Sequence, residues 1–360
     1  MNPIEMDNLL LGLHDSDETE RLYAVQDLAE TENPDAALHL LERLVIEESR
    51  AIRDAIVFGL KTVSCSRAYD ALFSLFCTPD AYLRNAAVAI LGAQGDEAVG
   101  FLASNLDHSN REVRKLTLDS LFQIGSPDAV LAVRACLYDR APNVQITAVE
   151  YLGRLKDEAS LDEMLEIFRK NPEPMLRTSI LESLSIIGAG APIRRALNIL
   201  APHGDFSGMD PIYIPQAINL AAKAGNPDGL LAVIDSVKEI SIYADDIMRA
   251  LEQAKRSNRD LLQNDGLFKK VLDIAGDGLV REDVRYAAVN SILVRGYACS
   301  DNSPIYFLAL RLASEESMVY AGVKLLACCC GAKGVKKTRE IMEETTDEEL
   351  RALCLKLVEA

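Results

Sequence analysis

The sequence predicts an all-α solenoid, and three observations point there. A short pattern recurs every 30 to 32 residues, its apolar positions follow the 3.6-residue period of a helix, and alternation at period two is absent. The pattern is an aliphatic residue, an arginine, a small or aliphatic residue three positions on, and a leucine at seven. It reads Arg21 with Ala24 and Leu28, Arg53 with Ile56 and Leu60, and Arg84 with Ala87 and Leu91. Arg114 follows with Thr117 and Leu121, then Gln145 with Ala148 and Leu152, then Arg177 with Ile180 and Leu184. Successive offsets are 32, 31, 30, 31 and 32. Such constancy implies one supersecondary unit stacked many times, each copy burying its apolar face against its neighbours.

Each unit reads as two helices. The arginine opens the second, whose stripe in the fourth copy is Val113, Thr117, Leu118 and Leu121, extended by Ile124. Ser109 with Glu112, and Thr346 with Glu349, have the spacing of capping boxes. Gly92, Gly125, Gly153 and Gly188 stand where a helix would stop. Proline and an acid then open the next first helix at Pro34-Asp35, Pro127-Asp128 and Pro227-Asp228. First helices are expected at 37–46, 71–76, 99–106, 130–137 and 161–168.

These elements resemble the HEAT repeats, in the short bacterial form first described in phycobilisome lyases. The matching features are the Pro-Asp-Ala entry, a turn acid (Asp80, Asp107, Asp139) and V-R-x-x-A-V-x-x-L, over residues 1–192 and 281–360. The resemblance implies a right-handed α-solenoid of about ten or eleven HEAT-like helix pairs. It also implies that Arg21, Arg53, Arg84, Arg114, Arg177, Arg285 and Arg351 form a structural ladder with turn acids, as in HEAT-like proteins.

Organisation follows the template. Residues 1–192 hold regular repeats, 193–280 divergent ones with longer turns (Ala201–Pro215 and Lys255–Gly266), and 281–360 return to the pattern, all as one continuous solenoid. The divergent stretch reads as a bend or an inserted site.

Composition narrows the function. A net charge of −17, from 55 acids and 38 bases, opposes nucleic-acid binding, which is built from basic contacts to phosphate. No apolar run reaches the length of a membrane span, and Met1–Glu5 has no signal-like character, so a cytoplasmic protein is expected. The eight cysteines include no C-x-x-C pair, and the adjacent side chains of Cys328, Cys329 and Cys330 diverge by about 100° each on a helix. The four histidines are scattered, and none carries the His-Glu pairing of the metal-binding HEAT hydroxylases. Neither a P-loop nor a dinucleotide fingerprint appears, and no cofactor is expected.

One constellation stands out. The fifth position after the arginine points away from the core stripe and reads Gln26, Phe58, Ala89, Asp119, Glu150, Glu182 and, later, Asn290. Asp119, Glu150 and Glu182 are expected side by side on a concave face, with Phe58 and Phe122 as exposed aromatics nearby. A basic cluster at Lys333, Lys336, Lys337 and Arg339 reads as a solvated helix start. The expected function is a non-catalytic protein-binding scaffold for a partner with a basic surface or helix, as in bacterial signalling or assembly. The competing class is an enzyme: a bilin lyase-like transferase first, and more distantly a HEAT-like DNA glycosylase, whose lesion-side tryptophan this tryptophan-free chain lacks.

Overall fold

The computed structural model describes residues 3–31, 33, 35–188, 190–257, 259–295 and 303–359, with side chains from Met6 onward. Every regular element among them is helical. The chain divides into two compact units, Met1–Ile187 and Gly188–Ala360.

Among the described residues the first unit contains six helix pairs. They are α1 (Pro3–Gly12) with α2 (Glu18–Ala29), α3 (Ala36–Ile46) with α4 (Arg50–Thr62), and α5 (Tyr69–Ser74) with α6 (Ala81–Ala93). Next come α7 (Asp96–Ser104) with α8 (Arg111–Ile124), α9 (Pro127–Ala135) with α10 (Pro142–Arg154), and α11 (Leu161–Lys170) with α12 (Pro174–Ile187). The second unit contains five: α13 (Ala191–Leu200) with α14 (Ile214–Ala224), α15 (Pro227–Asp235) with α16 (Ile240–Arg256), and α17 (Asp265–Gly276) with α18 (Glu282–Arg295). It closes with α19 (Pro304–Ala313), α20 (Val319–Cys329), α21 (Gly331–Glu344) and α22 (Glu348–Glu359). The architecture is an α-solenoid.

The α8–α9 corner shows how local chemistry makes each unit. Val113, Leu118 and Leu121 are fully buried. Thr117, also buried, keeps its hydroxyl satisfied by donating to the Val113 carbonyl at 2.9 Å. Gly125 ends α8 at φ 63°, a left-handed conformation that costs a side-chain-bearing residue energy. Ser126 then caps α9 by accepting from the Ala129 amide, and Pro127 takes the first helical position, where no amide is needed. Asn226 and Pro227 repeat the device at α15. Pro34, expected to open a first helix in the same way, lies outside the described residues.

Several local expectations are corrected. The cap of α8 is Asn110, whose side chain accepts from the Glu112 amide, so Ser109 and Glu112 do not form a capping box. At α22 the cap is Asp347 rather than Thr346, accepting from the amides of Glu349 and Leu350. Gly92 and Gly153 are not helix stops but lie within α6 and α10. A methyl group on Gly92 would meet the Gln123 side chain of α8, and one on Gly153 would come within 2.8 Å of the Ser183 Cβ of α12. Both glycines exist for close approach between neighbouring second helices. First helices begin up to three residues before their expected starts, at Asp96, Pro127 and Tyr69.

The stretch expected to diverge holds two helix pairs and more. Ala201–Pro215 joins α13 to α14 through two 3-10 turns, Pro202–Gly204 and Pro211–Tyr213. Lys255–Gly266 covers the end of α16, a 3-10 turn at Leu261–Gln263 and the start of α17. The core here is ordinary: Ala217, Ile218, Leu230, Val233, Ile247, Val271 and Ile274 are all fully buried.

Candidate functional site

In the first unit the second helices form a continuous layer. Each of α2, α4, α6, α8 and α10 packs on the next, and most of these pairs pack more tightly than the first helices pack on one another. Small residues permit the approach, with Gly59 against Ala29 as well as the two glycine contacts above.

Arginines lock the turns beneath this layer. Five of the seven ladder arginines reach back to a carbonyl about six residues earlier: Arg21 to Asp15, Arg53 to Glu47, Arg84 to Thr78, Arg114 to His108 and Arg351 to Thr345. Several also reach forward to the turn acid of the next repeat. Arg21 bonds Glu47, Arg53 lies 3.8 Å from Asp80, and Arg114 makes two bonds of 2.7 Å to Asp139. In the second unit Arg285 bonds Glu315 at 2.5 Å and the Ala275 carbonyl at 3.1 Å. Arg177 stands over the Phe168 ring at 4.5 Å. Asp107 contributes its carbonyl, to Arg140.

The turn acids do two jobs at once. Asp139 accepts from Arg114 and from the Ala141 amide, and Glu47 accepts from Arg21, Arg43 and the amides of Glu48 and Ser49. Burial raises the Glu47 pKa, but the Ser49 amide and the two guanidinium groups outweigh it and bring the carboxyl to about 2. Glu47, Asp157 (paired with Arg134) and Glu315 escaped the sequence reading. Their partners in neighbouring repeats lie 23 to 30 residues away, a distance that only the repeat register could have bridged, although Glu47 also bonds Arg43 four residues before it.

The acidic row occupies three different environments. Asp119 is half-buried and accepts from the Tyr151 hydroxyl of α10. Burial raises its pKa, against the opposing pull of Tyr151 and Lys115. Glu150 is half-buried at a hollow of about 280 Å³ between α8 and α10, beside Arg111, Glu112 and Lys115. Glu182 is exposed on α12. Phe58 projects from α4 with 71% of its surface exposed. Phe122 instead is half-buried and stacks on Tyr151, ring centroids 4.2 Å apart. Asp119, Phe122 and Tyr151 thus form one inter-repeat cluster, and the exposed members of the set are Glu182 and Phe58.

A larger hollow, of about 570 Å³, lies between α16 and α18. Met248, Leu251 and Leu262 contribute apolar surface, and Asn290, at the same template offset as the acids, lines one wall. The charges of α16 pair along the helix, Arg249 with Asp245 and Arg256 with Glu252. This hollow was not foreseen, because α16 carries no template arginine.

The remaining candidates are structural in geometry. Lys333 lies over the Tyr306 ring at 5.2 Å, and Lys337 pairs with Glu340. Cys328 is exposed while Cys329 and Cys330 are buried. Among the described residues no group of His, Cys, Asp and Glu could hold a metal ion, and no helix is long and apolar enough to cross a membrane.

Comparison places this geometry among known folds. Residues 99–185, from α7 into α12, match the family model of HEAT repeats. No curated protein matches the sequence. The solved structure of Kap121p bound to Nup53p is similar at a TM-score of 0.53, with 12% identity, covering 99% of this chain and 50% of that one. An engineered protein (15% identity, all of both chains) scores 0.32. The CpcE–CpcF complex of phycocyanin lyase from Nostoc sp. PCC7120 (18% identity, 70% of this chain and 94% of that one) scores 0.28. Identities this low speak for the fold alone, and the two lower scores carry no argument.

Proposed function

We propose that this chain, a HEAT-like repeat protein folded as an α-solenoid, is a non-catalytic scaffold that binds a protein partner on its second-helix layer. The observation that carries the reading is the continuity of that layer across six repeats, with Phe58 and Glu182 exposed along it. In a curved stack the more tightly packed layer is the inner one, so this layer lines the concave side of the first unit. An exposed phenylalanine on a rigid helix is a natural anchor for a partner pocket, and flanking charges give specificity and on-rate. Kap121p, of like fold, is a precedent in holding the protein Nup53p. Glu150 and Glu182 favour a partner with a basic surface. A direct test measures how much partner the chain retains from its native host when Phe58→Ala is combined with Glu150→Lys and Glu182→Lys. Retention should fall at least about tenfold while the melting temperature holds; unchanged retention would reject this face.

A further inference from the structure

We infer that a trough between α1 and α3, on the opposite helix layer, takes a cationic amphipathic helix from a partner protein. The trough encloses about 420 Å³. One wall is the α1 stripe and its continuation: Asp7, Leu10, Leu11 and His14, spaced as one face of a helix. His39 and Glu42 of α3 form the other wall, and buried Leu13 is the floor. Leu9 to Leu11 are consecutive, so α1 is apolar on more than the face it turns to α2. Leu11 is left 72% exposed.

The sign of the charge selects the occupant. Residues 1–48 contain thirteen acids and only two arginines, and both arginines bond the same acid, Glu47. The trough therefore sits in a negative field with Asp7 and Glu42 at its rim. That field repels nucleic acid and anionic membrane surfaces, and it repels the same end of a second copy. A basic helix is attracted, and its leucine-like side chains can enter the trough against Leu10 and Leu11 while lysines reach the rim carboxylates. Two flanking helices with an apolar seam suit a third helix lying along them, the helix-in-groove mode of recognition. This surface is independent of the second-helix layer, and its test needs no native partner.

The probe is a fluorescent leucine–lysine amphipathic peptide about five turns long, with a leucine–glutamate peptide of identical apolar face as its counterpart. Anisotropy titrations would compare the wild type with Leu11→Ser, with Asp7→Lys/Glu42→Lys, and with Leu131→Ser on α9. Leu131 is an exposed leucine on another first helix, which makes it the control. The lysine peptide should bind, and both trough variants should weaken it at least about tenfold, while the control stays within about twofold. The glutamate peptide should not bind. Absence of lysine-peptide binding, or equal binding of the glutamate peptide, would overturn the inference. Affinity that responds to the charge reversal but not to Leu11→Ser would also overturn it, because that is charge attraction without the apolar seat.

Discussion

Arg114 and Asp139 join consecutive repeats through two parallel hydrogen bonds of 2.7 Å, with side chains only 2% and 7% exposed. Two further bonds tie the same guanidinium to the carbonyls of His108 and Ser109. A charge pair this deeply desolvated is held by its geometry, and removing one member strands the other. Arg114→Ala should lower the stability of the fold by about 3 kcal/mol. Arg84, half-buried and bonded to the Thr78 carbonyl, should cost about 1 kcal/mol when replaced by alanine. Denaturant titration of both variants checks the order, and equal losses would contradict this account of the ladder.

Acid should dismantle the Glu47 node. Its folded pKa, about 2, lies below the ordinary value for glutamate, so it stabilises the fold at neutral pH. That contribution is lost as pH falls from about 4 towards 2. Asp139 is shifted in the same direction: burial raises it, but Arg114 and the Ala141 amide pull it below its ordinary value. Melting temperatures recorded across this window should fall for the wild type and fall less for Glu47→Gln, which starts lower. A parallel decline in both proteins would show that Glu47 is not the titrating node.

Asp119 should behave oppositely. Burial raises its folded pKa despite the Tyr151 bond, so ionisation is unfavourable in the fold. Its contribution to stability is greatest at low pH and is lost as pH rises through the folded value. Asp119→Asn, which can still accept from Tyr151, should therefore be more stable than the wild type at neutral pH, and the advantage should vanish in acid. Urea midpoints at pH 7 and pH 3 measure the difference.

Glycines separate crowding from helix propensity. Gly100 on α7 has open space around it, so Gly100→Ala should stabilise the fold by about 1 kcal/mol. Gly153 faces the Ser183 side chain and backbone, so Gly153→Ala should destabilise by about 1–3 kcal/mol despite the better propensity. Thermal melts of the pair decide it, and a stabilising Gly153→Ala would mean the layer is looser than described.

Much of the fold is legible in the sequence because the arginine template recurs where most second helices begin. Finer features were hidden for identifiable reasons. Asn110 stands beside Ser109 and Asp347 beside Thr346, and only the backbone at the helix entry decides which of two capping residues acts. Gly153 and Gly125 look alike in the sequence, yet one receives a neighbouring serine and the other adopts a left-handed turn. The Tyr151–Asp119 and Tyr82–Asp54 bonds join residues 32 and 28 apart, so the two partners carry no shared local signal. That is why the template position of Asp119 aligns it with Glu150 and Glu182 but does not reveal its bond to Tyr151. The hollow beside α16 and the trough beside α1 arise from gaps between helices, which no single helix pattern encodes.

The central claim is that the second-helix layer is where a partner binds. A photo-crosslinking amino acid placed singly at Phe58 and Glu182, and at Leu131 and Tyr138 on the other side of the repeats, tests it in the native host. All four side chains are exposed, so each reports on contact without disturbing the core. The account predicts a discrete crosslinked protein from positions 58 and 182 and none of that species from 131 and 138. The same species captured only from 131 and 138 would contradict it.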